Sequence, residues 1–298
     1  MNSKAIKRQL LAAIAMVLVA AIALGSSTYA WFVASGSVTA TGMSVNATSE
    51  GGLVISYGTN AWGITASAEE DTTNVPLTPV STADLANWYH ATAKESANYA
   101  ADDTTRTDVT DKVMDGSSFL ANKDTDNKYV VARTFNIRSS GNADAGTLAK
   151  GLYVSNITVT GASQQMHTAL RVGIICNYKN EAEAGPFIYG PVTVTGGNGD
   201  AQNSAKTPYD VFGAWNGTTA AKVGTVNLKT AAEANKDAPL LKETVTIPNS
   251  TNPNDYVKVT VLIWFEGEDW NLTSDKYDAS TLDVTVEFTS LGLSGGTV

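Results

Sequence analysis

The sequence predicts an all-β protein, a β-sandwich with loop and short-helix insertions, and three observations predict it. The first is period-two alternation. Leu170, Val172, Ile174, Cys176 and Tyr178 share one face of a segment whose other face carries Arg171, Asn177 and Lys179, as in a sheet with one side in a core and one in water. Val257, Val259, Val261, Ile263 and Phe265 alternate against Lys258, Thr260, Leu262 and Trp264, and Leu282, Val284, Val286 and Phe288 against Asp283, Thr285 and Glu287. The second is punctuation: clusters such as Gly196-Gly197-Asn198-Gly199-Asp200 and Asn252-Pro253-Asn254-Asp255 separate the apolar runs, and these residues favour turns. The third is number. Leu53 to Tyr57, Tyr129 to Arg138, Gly151 to Thr160, Pro191 to Thr195 and Glu243 to Ile247 add strands, and eight or more imply a sandwich.

Two stretches interrupt the rhythm. Residues 59–128 are rich in Ala, Thr and Asp. Within them Leu85, Trp88, Tyr89 and Thr92 lie at helical spacing behind a cap candidate at Ser81 or Thr82, which predicts a short helix over part of the core. Residues 196–242 form the second insertion. No Pro-rich linker and no internal repeat divides residues 31–298, so one elaborated domain is the simpler expectation, with a two-domain split as the competing reading at this length.

Residues 1–30 read as a signal peptide. Lys4, Lys7 and Arg8 make a cationic start, Leu10 to Leu24 is an unbroken apolar run, and Thr28-Tyr29-Ala30 puts small residues at Thr28 and Ala30, where a peptidase needs them. The competing reading is a retained anchor, because apolar character resumes at Trp31, Phe32 and Val33. The run of fifteen residues falls short of the roughly 20 that a spanning helix needs, so no stable membrane insertion is expected after cleavage.

Charge and chemistry exclude several function classes. The mature chain would carry 17 positive and 29 negative side chains, a net of −12, which repels phosphates and makes nucleic acid a poor partner. One cysteine, Cys176, allows no internal disulfide, and its apolar strand makes it inert core. The two histidines, His90 and His167, are 77 residues apart, too few and too far for the paired-histidine helix of a zinc protease. There is no Gly-Lys dipeptide for a phosphate loop. Gly292-Leu293-Ser294-Gly295-Gly296 matches a nucleophilic-serine pattern without a histidine or acid following it. Asp124-Thr125-Asp126-Asn127 opens like a calcium loop but has Tyr129 and Phe135 where glycine and glutamate belong. Glu266-Gly267-Glu268-Asp269 reads as a solvated hairpin tip, with a hard-cation site at Glu266, Glu268 and Asp269 as the competing reading. No catalytic group, cofactor or metal site is assigned, and an enzyme is not expected.

The N-terminal region carries a resemblance. Gly25-Ser26-Ser27, Thr28-Tyr29-Ala30-Trp31-Phe32 and then Thr41-Gly42-Met43-Ser44-Val45 resemble the TasA/camelysin family, and Val131-Ala132-Arg133-Thr134-Phe135-Asn136-Ile137, leading through Gly141-Asn142 to Leu152–Val159, is similar to a second unit of that family. The resemblance covers about the first fifty residues and residues 129–178. It implies a jelly-roll sandwich, export from a Gram-positive bacterium, cleavage by a SipW-type signal peptidase, and self-assembly into extracellular biofilm-matrix fibres with or without an accessory or anchoring subunit. It also implies a donor strand that completes the next subunit's sheet, carried here by Trp31, Phe32, Val33, Val38, Met43 and Val45. The residues agree in place: cleavage would expose Trp31-Phe32-Val33 ahead of small and polar residues, and such a segment either joins a partner's edge or packs as its own first strand. The alternative function is a cell-surface adhesin or glycan- or protein-binding module, with Trp62, Trp88, Trp215 or Trp270 as stacking platforms.

Overall fold

Each alternating strand has one face that must leave water, and two sheets packed face to face satisfy that need for each other. The computed structural model describes residues 38–47, 52–58, 61–68, 75–91, 110–115, 125–126, 129–140, 148–160, 169–190, 193–195, 208–215, 220–229, 231, 239–249, 255–267 and 281–291. Every regular element among them is a strand: β1 (Val38–Ala47), β2 (Leu53–Tyr57), β3 (Thr65–Ser67), β4 (Val75–Leu77), β5 (Asn87–Ala91), β6 (Thr110–Asp115), β7 (Thr125–Asp126), β8 (Val131–Ser139), β9 (Lys150–Thr160), β10 (Leu170–Asn177), β11 (Phe187–Tyr189), β12 (Thr193–Thr195), β13 (Tyr209–Trp215), β14 (Ala220–Val226), β15 (Leu241–Thr246), β16 (Val257–Phe265) and β17 (Thr281–Leu291).

Seven strands form the first sheet, in the order β12-β9-β17-β1-β3, with β15 also beside β9 and β4 also beside β1. Six form the second, β11-β10-β16-β8-β2, with β7 also beside β8. The chain passes repeatedly between the two sheets, among other places from β1 to β2, from β8 through β9 to β10, and from β16 to β17, as the strands of a sandwich do. Val284, Val286 and Phe288 of β17, Ile157 and Val159 of β9, and Met43 and Val45 of β1 meet Phe135, Ile137, Val172, Ile174 and the odd-numbered residues of β16 in one cluster. Full burial is worth about 1.5–3 kcal/mol for each large apolar side chain, and a core of this extent holds the fold with its cysteine free.

The second sheet departs from the expectation of one wet face. On its outer side Arg171, Leu262 and Trp264 are as buried as the core. The cover comes from the two insertions, each of which folds a hairpin: β5 with β6, and β13 with β14. Leu85, Trp88, Tyr209, Val211 and Val226 from these segments join Ala132, Ile188, Leu262 and Trp264 in a second apolar cluster. Trp88 stands edge-on to Trp264, ring centres 5.1 Å apart at 84°, a favoured aromatic geometry.

The predicted short helix is absent from the described residues, and the reason is local. Thr82 Oγ1 accepts from the Leu85 amide at 2.9 Å, as a helix cap would. Asp84 Oδ1 accepts from the amides of Ala86 and Asn87 at 2.9 and 2.7 Å, and Asn87 Nδ2 donates to Asp84 Oδ2 at 2.7 Å. These side chains close a turn instead, because Leu85 has φ 59°, left-handed backbone that a helix cannot propagate. The chain then returns as β5, Ser81 and Tyr89 exchanging backbone hydrogen bonds of 2.8 and 2.9 Å. Burying the Leu85 side chain, 3% exposed, offsets that strain.

Glycine sets how closely the cover lies. A methyl group at Gly173 of β10 would stand 2.9 Å from Leu85 Cδ2 and 3.0 Å from the Trp264 ring, and one at Gly224 of β14 would stand 2.7 Å from Ala83 Cβ. Gly173→Val is therefore expected to lift the cover, lower stability by about 1–3 kcal/mol and shift native tryptophan emission to the red. Phe288→Ala should cost ~3–5 kcal/mol with native emission unchanged. Urea unfolding followed by fluorescence checks both, and a Gly173→Val protein with wild-type midpoint and emission would contradict the close approach.

Candidate functional site

The first site predicted from sequence is the N-terminal strand. β1 lies parallel to β17, pairing Thr39 with Thr281, Met43 with Val284, Val45 with Val286 and Ala47 with Phe288, with an irregularity between Ala40 and Gly42. Its other edge meets β4 at Val38 to Ala40 and β3 at Ser44 to Asn46, both antiparallel and three residues long. Two further bonds finish that edge, from the Ala68 amide to the Met43 carbonyl at 2.9 Å and from the Ala47 amide to the Ile64 carbonyl at 2.8 Å. Met43 and Val45 are 1% and 0% exposed and fill the core of their own chain. On the outward side Ser44 Oγ and Thr285 Oγ1 share a hydrogen bond of 2.7 Å. Of the proposed donor residues, Val38 thus starts β1 opposite Leu77, and Trp31, Phe32 and Val33 lie outside the described residues. So do Thr28 and Ala30 of the cleavage motif.

The second site is the acidic cluster at the end of β16, where the structure corrects the expectation for Glu266. Its carboxylate is 0% exposed rather than at a solvated tip. Ser81 Oγ donates to Glu266 Oε1, and Trp264 Nε1 lies 3.4 Å from Oε2. The backbone ties the same point to the cover: Val80 N donates to Phe265 O and Gly267 N to Val80 O, each at 2.9 Å. Glu266 is thus a structural anchor between sheet and cover, and Glu268 and Asp269 lie outside the described residues. Among the described residues no three His, Cys, Asp or Glu side chains are grouped to hold a metal ion.

Two buried arginines lie on opposite faces of the second sheet, Arg171 on the covered outer face and Arg133 on the face toward the sandwich core. Arg171, 0% exposed, sits cross-strand from Trp264, its guanidinium 5.2 Å from the Tyr209 ring centre and its Nη1 donating to the Leu170 carbonyl at 3.0 Å. Arg133, 2% exposed, is cross-strand from Val261 and donates to the Ala132 carbonyl at 2.9 Å. Burial first, and then the Glu266 charge, hold the Tyr209 hydroxyl well above its ordinary value, with Arg171 opposing. Sequence reasoning placed Arg171 in water because a lone cation in an alternating strand normally marks the solvated face; the signal it missed is the Leu262 and Trp264 pair on that same face.

His90 Nδ1 lies 2.8 Å from the Pro79 carbonyl, a half-buried structural contact, while His167 lies outside the described residues. Burial pushes the Cys176 thiol up to about 12, which keeps it protonated and unreactive. Of the loop tryptophans, Trp88 is fully buried. Trp62 is half-buried against Arg138 and Tyr256, and Trp215 ends β13. Trp270 lies outside the described residues.

No helix among the described residues is long and apolar enough to cross a membrane. What the fold defines is a class, the all-β sandwich, here with hairpins laid over one outer face. Comparison with known protein families, with curated proteins and with solved structures finds no match for this chain.

Burial raises the hydroxyls of Tyr153, Tyr189 and Tyr209 above the ordinary 10.0, with Glu243 adding to the effect at Tyr153. The folded chain keeps protons that the unfolded chain releases near pH 10, so this contribution is complete below that pH and is lost as pH rises beyond it. An ultraviolet titration should show these tyrosines ionising only with cooperative unfolding, and Tyr209→Phe with Tyr189→Phe should flatten the alkaline fall in stability. Every tyrosine of the chain ionising together in an intact fold would contradict it.

Proposed function

We propose that this chain is a secreted structural subunit of the TasA/camelysin type that polymerises into extracellular, biofilm-matrix fibres. In this reading a SipW-type peptidase cuts after Ala30, and the segment that begins at Trp31 passes to the next copy as a donor strand. One observation carries the reading: β1 lies parallel to β17 and its other edge is held by two three-residue strands. Withdrawing β1 would open a slot along the first sheet, and β1 of a second copy would refill it in the same register. The pairing that one subunit gives up re-forms in the next, as in any strand exchange. The net drive then rests on what the swap adds, which is burial of Trp31, Phe32 and Val33 against the neighbour. A fibre built this way ends in one empty slot and one unplaced strand, which gives an accessory or anchoring subunit something to bind. The acidic net charge keeps subunits soluble until they join.

The outward pair Ser44 and Thr285 offers a test that leaves the core intact. In mature Ser44→Cys/Thr285→Cys protein, a disulfide would lock β1 to its own β17. The oxidised protein should remain monomeric by light scattering and negative-stain microscopy, and reduction should restore fibres. Fibres from the oxidised form would rule out exchange of β1, and a wild-type mature chain that stays monomeric at all concentrations would remove the structural reading.

A further inference from the structure

The outer face of the second sheet is covered at one end and open at the other. Cross-strand rows over β10, β16 and β8 run from Gly173, Leu262 and Ala132, beneath the hairpins, through Ile175, Thr260 and Thr134 to Asn177, Lys258 and Asn136. Asn177 and Lys258 are exposed. Just beyond this last row the Arg138 guanidinium lies 4.2 Å from the centre of the Trp62 ring, Trp62 stands 6.1 Å from Tyr256, and Lys258 Nζ is 5.8 Å from Tyr256. Alongside, Lys179 is 4.9 Å from the Tyr178 ring and 2.7 Å from Asp255. Three cations and one carboxylate thus gather with two half-buried aromatic rings, Trp62 and Tyr256, beside the core residue Tyr178, on a chain whose net charge is −9.

We propose that this surface binds an anionic polysaccharide, a chain of carboxylated sugars, with Tyr256, Trp62 and Lys258 at its centre. Aromatic side chains offer flat apolar area for the C–H faces of sugar rings, and the exposed ammonium answers the carboxylates. The amides of Asn136 and Asn177 can both donate to and accept from hydroxyl groups. Trp62, Arg138 and Tyr256 already hold one another in place, so little ordering cost remains for binding. A nucleic acid fits less well: three cations on an acidic protein give few phosphate contacts and no basic groove. A neutral glycan would leave the cations without purpose. The surface lies on the second sheet while β1 belongs to the first, so this binding stands whether or not the chain polymerises.

The experiment uses the mature chain in its oxidised Ser44→Cys/Thr285→Cys form, titrated calorimetrically with oligogalacturonate, with a neutral maltodextrin and with single-stranded DNA of matched charge. Oligogalacturonate should bind and weaken with added salt, while the maltodextrin should not bind. Tyr256→Ala should weaken binding at least about fivefold and Lys258→Glu about tenfold. Lys222→Glu, which makes the same charge change on β14, should leave affinity within about twofold if the site is local. Absence of oligogalacturonate binding, equal loss in Lys258→Glu and Lys222→Glu, or DNA binding as tight as the uronate would each overturn the proposal.

Discussion

The burial of β16 on both faces is the constraint on which the rest of the structure depends. Its odd-numbered residues Val257 to Phe265 fill the sandwich, and on the opposite face Thr260, Leu262 and Trp264 are equally dry. A central strand of this kind cannot stand at the surface of a two-layer sandwich. Exposed, the Leu262 and Trp264 row would be an apolar patch inviting aggregation. The two insertions exist, in physical terms, to cover that row, and their hairpins meet Trp264 and each other where Gly173 and Gly224 leave room.

Covering the row also encloses charge. Arg171 and Glu266 come to lie in a low-dielectric interior, where breaking a satisfied polar network by removing one member is costly. Both act on the Tyr209 hydroxyl, from opposite signs, and Glu266 takes the Ser81 hydroxyl. A buried network of this sort adds less net stability than an apolar one of the same volume; what it supplies here is a fixed point. The bonds between Val80 and the end of β16, together with Ser81 on Glu266, set where the first insertion must return to the sheet.

Much of the sandwich was legible because alternation is a statement about one strand's two faces. Leu53 to Tyr57 and Val257 to Phe265 match β2 and β16 residue for residue, and β8, β9, β10 and β17 differ only at their ends. The cover was not legible, since a hairpin such as β13–β14 depends on a partner face that its own residues do not reveal. The segment from Ser81 to Tyr89 shows the failure most clearly. Its capping side chains and its Leu85 to Trp88 spacing carry a helical signal, yet Leu85 takes left-handed backbone because its side chain is needed against Gly173 and Trp264. The N-terminal strand was visible as an apolar segment with its Met43 and Val45, but whether such a strand serves its own chain or the next is decided by free-energy differences that periodicity does not encode.

The outer face divides into a dry half and an open half, and the strand exchange proposed for β1 concerns the first sheet whereas the proposed binding surface concerns the second. Oxidative footprinting of the folded mature chain, read by mass spectrometry at each aromatic residue, tests that division most directly. Trp62 and Tyr256 should be modified in the native state, while Trp88 and Trp264 should be protected until the chain unfolds globally. Modification of Trp88 and Trp264 at the rate of Trp62 would mean that the hairpins do not cover the sheet, and the account of the second layer would fall with it.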